Sequence, residues 1–178
     1  MMVINKELVL LDPRLLPLCV DAISHNYSFF SSVYPGFASW FNDRVLPGIL
    51  VGERTVVLEQ RSGNVAGFLI VKHTANERKL CTLRVLEELQ KRGLGIRLFE
   101  IAFEILETEK PLLSVADLNL AAFRRIFRYF DFRSEATYRN LYRPNSMEYS
   151  FNGTLMSSSD HHSPNLVAAQ EWGAGLYV

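Results

Sequence analysis

The sequence predicts an α/β fold, a sheet of about six to seven strands flanked by about four helices, gathered into one domain over residues 1–152. Three observations carry that expectation. Two β-branched apolar runs flank a turn, an amphipathic stretch of helical period opens at a glycine-containing turn after a strand, and strand and helix patterns alternate from there on. With 178 residues, 48% of them hydrophobic, the chain can bury one good core and is too short for two ordinary domains.

Up to Gly52, apolar stretches broken by Pro13, Pro35-Gly36 and Pro47-Gly48 predict two or three short helices joined by turns. Thr55 to Gln60 and Val65 to Val71 then form a hairpin about Arg61-Ser62-Gly63-Asn64. A polar break at Ala75 to Arg78 precedes a third strand, Lys79 to Val85, whose second half alternates. From Gly95, Ile96, Phe99, Phe103 and Leu106 recur at helical spacing opposite Arg97, Glu100, Glu104 and Glu107. Pro111 to Ala116 reads as a short buried strand. Asn119 to Tyr129 reads as a helix whose apolar face carries Phe123, Ile126 and Phe127, continued by Phe130. Ala136 to Tyr142 and Met147 to Phe151 are strand-like runs parted by Pro144-Asn145-Ser146, and the polar character after Gly153 predicts a flexible tail over 153–178.

Lys plus Arg and Asp plus Glu stand at 19 each, so the overall charge offers no sign of a nucleic-acid partner. Cys19 and Cys81 form no Cys-x-x-Cys, which argues against a disulfide framework and a thiolate zinc site and fits a reducing, cytoplasmic setting. His161-His162 are too isolated for a metal site, and no metal is expected. Leu8 to Leu11 is cut off by Asp12-Pro13 before it could serve as a signal, and no run approaches the ~18 apolar residues of a membrane span.

Gln90-Lys91-Arg92-Gly93-Leu94-Gly95 lies between the third strand and the amphipathic helix. Helix starts expose unpaired N–H groups of partial positive charge, and glycines let the backbone approach a phosphate without a Cβ in the way. A Walker loop would need Gly-Lys-Ser/Thr, which is absent, and a dinucleotide fingerprint would need a third glycine where Leu98 stands. A helix cap with two structural glycines is the plain alternative.

The stretch from about Thr55 to Phe132 resembles the GNAT superfamily of acyl-CoA-dependent N-acetyltransferases, in which a hairpin leads to a central strand, an Arg/Gln-x-x-Gly-x-Gly/Ala loop with its helix, and a further strand and helix. Asn119 to Phe132 is similar to the family's Asn-x-x-Ala helix ending in Tyr and Gly-Phe, with Asp131-Phe132 where Gly-Phe is common. The resemblance implies a mixed central sheet splayed around Val85 and acetyl-CoA as cosubstrate. It implies backbone pairing of Leu83, Arg84 and Val85 with the pantetheine arm. Amide contacts to the pyrophosphate would come from Gln90, Lys91, Arg92, Gly93, Leu94 and Gly95, with Asn119 also on the cofactor. It further implies direct transfer to a primary amine of a small molecule, peptide or protein, and leaves a homodimer open.

Acetyl transfer needs a neutral amine, a polarised thioester carbonyl and a proton for the leaving thiolate. The family's usual tyrosine acid aligns with Phe127 or Ile126, and its usual glutamate base with Lys79, so neither is matched. Tyr129 lies about 200° around the helix from Phe127 and should face elsewhere. Glu77, His73 and Asp117 are the weak candidates for relaying a proton, against the plainer roles of loop carboxylate, strand-end histidine and helix cap. Cys81 reads as a small buried hydrophobe. A non-catalytic acyl-CoA sensor is therefore the alternative.

In the family the early helices help form the acceptor groove. Tyr27, Phe29, Phe30, Tyr34, Phe37, Trp40 and Phe41 fall in that region, mostly as expected core, with Asp43 available to an ammonium. Arg124, Arg125, Arg128, Arg133, Arg139 and Arg143 outnumber Asp131 and Glu135 between Asn119 and Arg143. That excess reads as a solvated face, or as a seat for the CoA 3′-phosphate or for an acidic partner such as RNA.

Overall fold

Four antiparallel strands make the first sheet of the computed structural model, in the order β1 (Met2–Ile4), β2 (Arg54–Arg61), β3 (Asn64–His73) and β4 (Arg78–Val85). The structure describes residues 1–155 and 165–167. The chain divides into two compact units, Met1–Pro111 and Leu112–Val178.

In the first unit the hairpin pairs Arg61 with Asn64 across Ser62 and Gly63, both in the left-handed region. β1 adds to β2 with Ile4 opposite Val56. Its three residues carry no period that a sequence pattern could detect. The early helices are α1 (Lys6–Leu11), α2 (Leu15–Ser24), α3 (Tyr27–Val33), α4 (Phe37–Trp40) and α5 (Leu46–Val51), more than the two or three expected. A wide π-type turn over Phe41–Val45 joins α4 to α5. Pro47, which has no N–H to give, sits in the first turn of α5, so the helical path survives a proline read as a break. Ile23, Phe41, Val45 and Ile49 from these helices join Ile4, Val56, Leu58, Phe68 and Ile70 of the sheet in one core. α6 (Leu94–Leu106) packs on β3 and β4, burying Leu98, Phe99, Ala102 and Leu106.

In the second unit β5 (Leu113–Ala116) runs directly into α7 (Asp117–Tyr129), followed by β6 (Ser134–Arg139) and β7 (Met147–Phe151). β6 ends three residues before the expected Tyr142, because Asn140 turns with φ +60° and its side chain accepts a hydrogen bond from the Asn145 N–H at 2.7 Å. The second sheet is antiparallel in the order β5-β7-β6-β8. β8 (Asn165–Val167) pairs with β6 inside the stretch expected as tail, and His161 and His162 lie outside the described residues. Phe127 of α7 packs on Phe151 of β7 at 4.3 Å between ring centroids. The α/β class is as expected, with the strands shared between two antiparallel sheets.

Candidate functional site

β4 ends at Val85, a 3-10 turn spans Glu87–Leu89, and Gln90 folds back so that its Nε2 donates to the Val85 carbonyl at 3.1 Å. Lys91 then takes φ +60° and Gly93 φ +82°, the left-handed conformations that swing the chain into α6. Gly93 is the N-cap and supplies no side-chain cap, and the first turn holds no acidic residue. The helical bonding starts with the Arg97 N–H on the Gly93 carbonyl at 3.1 Å. The N–H groups of Leu94, Gly95 and Ile96 therefore have no acceptor within the helix. Lys91, Arg92 and Gly93 are exposed beside them. Uncapped N–H groups, the positive end of a helix and two cations make a seat that fits a diphosphate.

β4 leading into this seat is an edge strand of its sheet. Ile70 faces Thr82 while Val71 faces Leu80, so Cys81 is the extra residue of a bulge. The Leu86 N–H bonds the Ala66 carbonyl on β3 at 3.0 Å. By the two-residue alternation of a ladder, the backbone groups of Arg84 also point toward β3, and those of Leu83 and Val85 point away from it. The residues expected to pair with pantetheine thus present two of their three backbones on the unpaired side, with the Val85 carbonyl already held by Gln90.

The weak catalytic candidates are scattered. His73 and Glu77 stand at the far end of the sheet, His73 opposite Arg78, and the strand from there to Val85 is about 23 Å long. His73 Nδ1 lies 3.0 Å from the Ile105 carbonyl near the end of α6. Glu77 accepts from Lys72 Nζ at 2.6 Å. Burial pushes its carboxyl up, but the Lys72 hydrogen bond and the charges of Lys79, Lys72 and Arg54 outweigh that and hold it below the ordinary value. In the second unit Asp117 accepts from the Leu118 N–H at 2.8 Å and the Met147 N–H at 3.4 Å. Asn119 is half-buried in the first turn of α7. Phe127 is 4% exposed and Tyr129 65%, which places them on different faces as the helical angle requires. Arg124, Arg125 and Arg128 are exposed on α7.

Among the early aromatics, Phe30, Phe37 and Phe41 are core, while Phe29 remains 44% exposed. Arg84 lies over Phe29, its guanidinium carbon 3.4 Å from the ring centroid and 5.6 Å from that of Phe30. Its Nε and Nη1 are buried without a hydrogen-bond partner. Burial draws the Arg84 guanidinium below its ordinary value, against the pull of Glu88 and Glu87 in the other direction. Sequence reasoning gave Arg84 only a backbone role. The signal was a cation opposite Phe68, on the face of the sheet that carries the aromatic core. Among the described residues, no group of three or more His, Cys, Asp or Glu could hold a metal ion. No described helix is long and apolar enough to cross a membrane.

No protein-family model matches the sequence, and no curated protein matches it. Among solved structures the chain is similar to an aminoglycoside 6'-N-acetyltransferase complexed with coenzyme A, with a TM-score of 0.58, 12% identity and coverage of 85% of this chain and 95% of that one. It is also similar to nourseothricin acetyltransferase, with a TM-score of 0.50 and 18% identity, covering 56% of this chain and 64% of that chain's length. The fold is thus the one these two structures share. In particular, it is the GNAT fold that the sequence resembles.

Proposed function

We propose that the chain is an N-acetyltransferase that moves an acetyl group from acetyl-CoA to a primary amine. The observation that carries this reading is the uncapped start of α6, set directly behind an edge strand in a fold of the GNAT type. Gln90 to Gly95 would hold the pyrophosphate, and Leu83 and Val85 would pair with the pantetheine arm. In a ternary complex the amine nitrogen forms a C–N bond to the thioester carbonyl carbon and the C–S bond breaks. The proton lost by nitrogen neutralises the thiolate. Positioning carries much of the acceleration, since a thiolate is a tolerable leaving group. The reading joins residues 1–152 into one catalytic domain and sets it in the cytoplasm, in keeping with two free thiols.

A calorimetric titration tests it. Wild-type protein binds acetyl-CoA, and Gly93→Val, which forces a β-branched residue to φ +82°, weakens binding at least tenfold. Unchanged affinity in that variant removes the cradle from the argument.

A non-catalytic acyl-CoA binder is the second reading, favoured by Phe127 and Lys79 standing where the family's acid and base align. CoA release with any amine in a thiol-detection screen rejects it.

A further inference from the structure

We propose that the Arg84 guanidinium is the anchor for a carboxylate on the acceptor, so that the chain acetylates amines that also carry a carboxylate, as amino acids do. The proposal rests on the N-acetyltransferase reading above and names the substrate class for that site.

Arginine is an expensive residue to half-bury on an apolar face, and most such residues are tied down by a carboxylate. This one is not. Its Nε and Nη1 are shielded and have no acceptor, and it forms no ion pair among the described residues. Phe29 holds the guanidinium from one face at 3.4 Å, an interaction that fixes the plane of the group without consuming a single N–H donor. The result is a rigid fork with its hydrogen-bonding edge unused, matched in shape to a carboxylate. Phe29 is itself 44% exposed, so the pair lies at the protein surface, and the proposal has the ring turn aside when a carboxylate takes the shielded donors.

The position suits an acceptor site. Arg84 lies between Leu83 and Val85, whose backbones are proposed to carry the pantetheine arm, and its side chain reaches α3, one of the early helices. A carboxylate seated there brings the amine of the same molecule close to a fixed positive charge. That charge disfavours the ammonium form and raises the share of neutral, nucleophilic amine. It supplies in part what the missing glutamate base would do.

The test uses pairs of amines that differ only in the carboxylate, an amino acid against its decarboxylated amine, with acetyl-CoA affinity measured on the same preparations. In wild-type protein the carboxylate-bearing member of a productive pair should have a kcat/KM about ten- to a hundredfold higher, the range of a charge-assisted pair. Arg84→Gln should bring that ratio to about one and Arg84→Lys should restore part of it, with acetyl-CoA still bound by both. As a second readout, N-acetyl amino acids should raise the Tm of the CoA-loaded wild type and not of the CoA-loaded Arg84→Gln variant. A ratio near one in wild type, a ratio that survives in Arg84→Gln, or the absence of any shift with N-acetyl amino acids while CoA is bound overturns the inference alone. Failure of the wild type to bind acetyl-CoA overturns the N-acetyltransferase reading and this inference together.

Discussion

Gly67 lies so close to Arg84 that a Cβ on it would stand 2.6 Å from the Arg84 carbonyl oxygen and 3.3 Å from the Val85 Cα. Both contacts are with backbone, which cannot swing away as a side chain could. Gly67 therefore sets how near β3 and β4 approach at the end of the strand that leads into the cradle. Gly67→Ala should push β4 outward and cost about 1–3 kcal/mol, the usual range for overpacking. Urea denaturation checks the stability, and a titration with acetyl-CoA should show weaker binding in the folded variant. Wild-type stability in Gly67→Ala would mean that the two strands part there at no cost.

The run from β4 through the turn to α6 was legible because its signals are local. Alternation in Leu83 to Val85, glycines in the turn and a helical apolar period each report on a few neighbouring residues. β1 was not legible, since Met2–Ile4 becomes a strand only by pairing with β2 more than fifty residues away. Pro47 misled for a different reason. It sits in the first turn of α5, where a missing N–H is no loss, and nothing in the sequence announces the π-type turn over Phe41–Val45 that leads into that helix. The candidate site was half legible. The glycine turn and the helix start follow from residue types, whereas Arg84 looks in sequence like any other strand residue. Its place opposite Phe68 is the one pointer to the core face, and the packing of Phe29 and Phe30 around it makes that plain.

The Lys72–Glu77 pair gives a pH dependence of known sign. The folded carboxyl is held below its ordinary value of 4.5, so its contribution to stability is present above that value and is lost as pH falls through the lower folded one. Glu77→Gln should be about 1 kcal/mol less stable than wild type at neutral pH. The difference should shrink in acid and vanish once the wild-type carboxyl is protonated. Denaturation curves at pH 7 and down a series below 4.5 check it. A gap that stays constant with pH would assign the loss to packing and not to charge.

The two cysteines should differ in reactivity. Burial pushes the Cys19 thiol up to about 12, which leaves almost no thiolate at neutral pH. Cys81 is half-buried, with Arg54 Nη1 3.3 Å from its sulfur. A chromogenic disulfide reagent should modify Cys81 in the folded protein and reach Cys19 only on unfolding. Cys81→Ser should then show almost no native labelling. Rapid native labelling in that variant would show that Cys19 is reached by local opening.

Phe127 decides between a catalytic and a structural role for the position that aligns with the family's acid. Its ring lies 4.3 Å from Phe151, 5.5 Å from Phe123 and 5.6 Å from Phe132, centroid to centroid, and the residue is 4% exposed. Truncating such a side chain removes its burial and leaves a cavity that its ring neighbours cannot fill without losing contacts among themselves. Phe127→Ala should cost about 3–5 kcal/mol, and Phe127→Leu, which keeps most of the volume, distinctly less. A phenylalanine has no proton to donate, so the other role open to it is to line a site. Both variants would then keep their stability and differ from wild type in turnover alone. Thermal unfolding of the two variants, read beside the CoA-release rate of the folded Phe127→Leu protein, separates the outcomes. A stable Phe127→Ala protein would remove Phe127 from the core of the second unit.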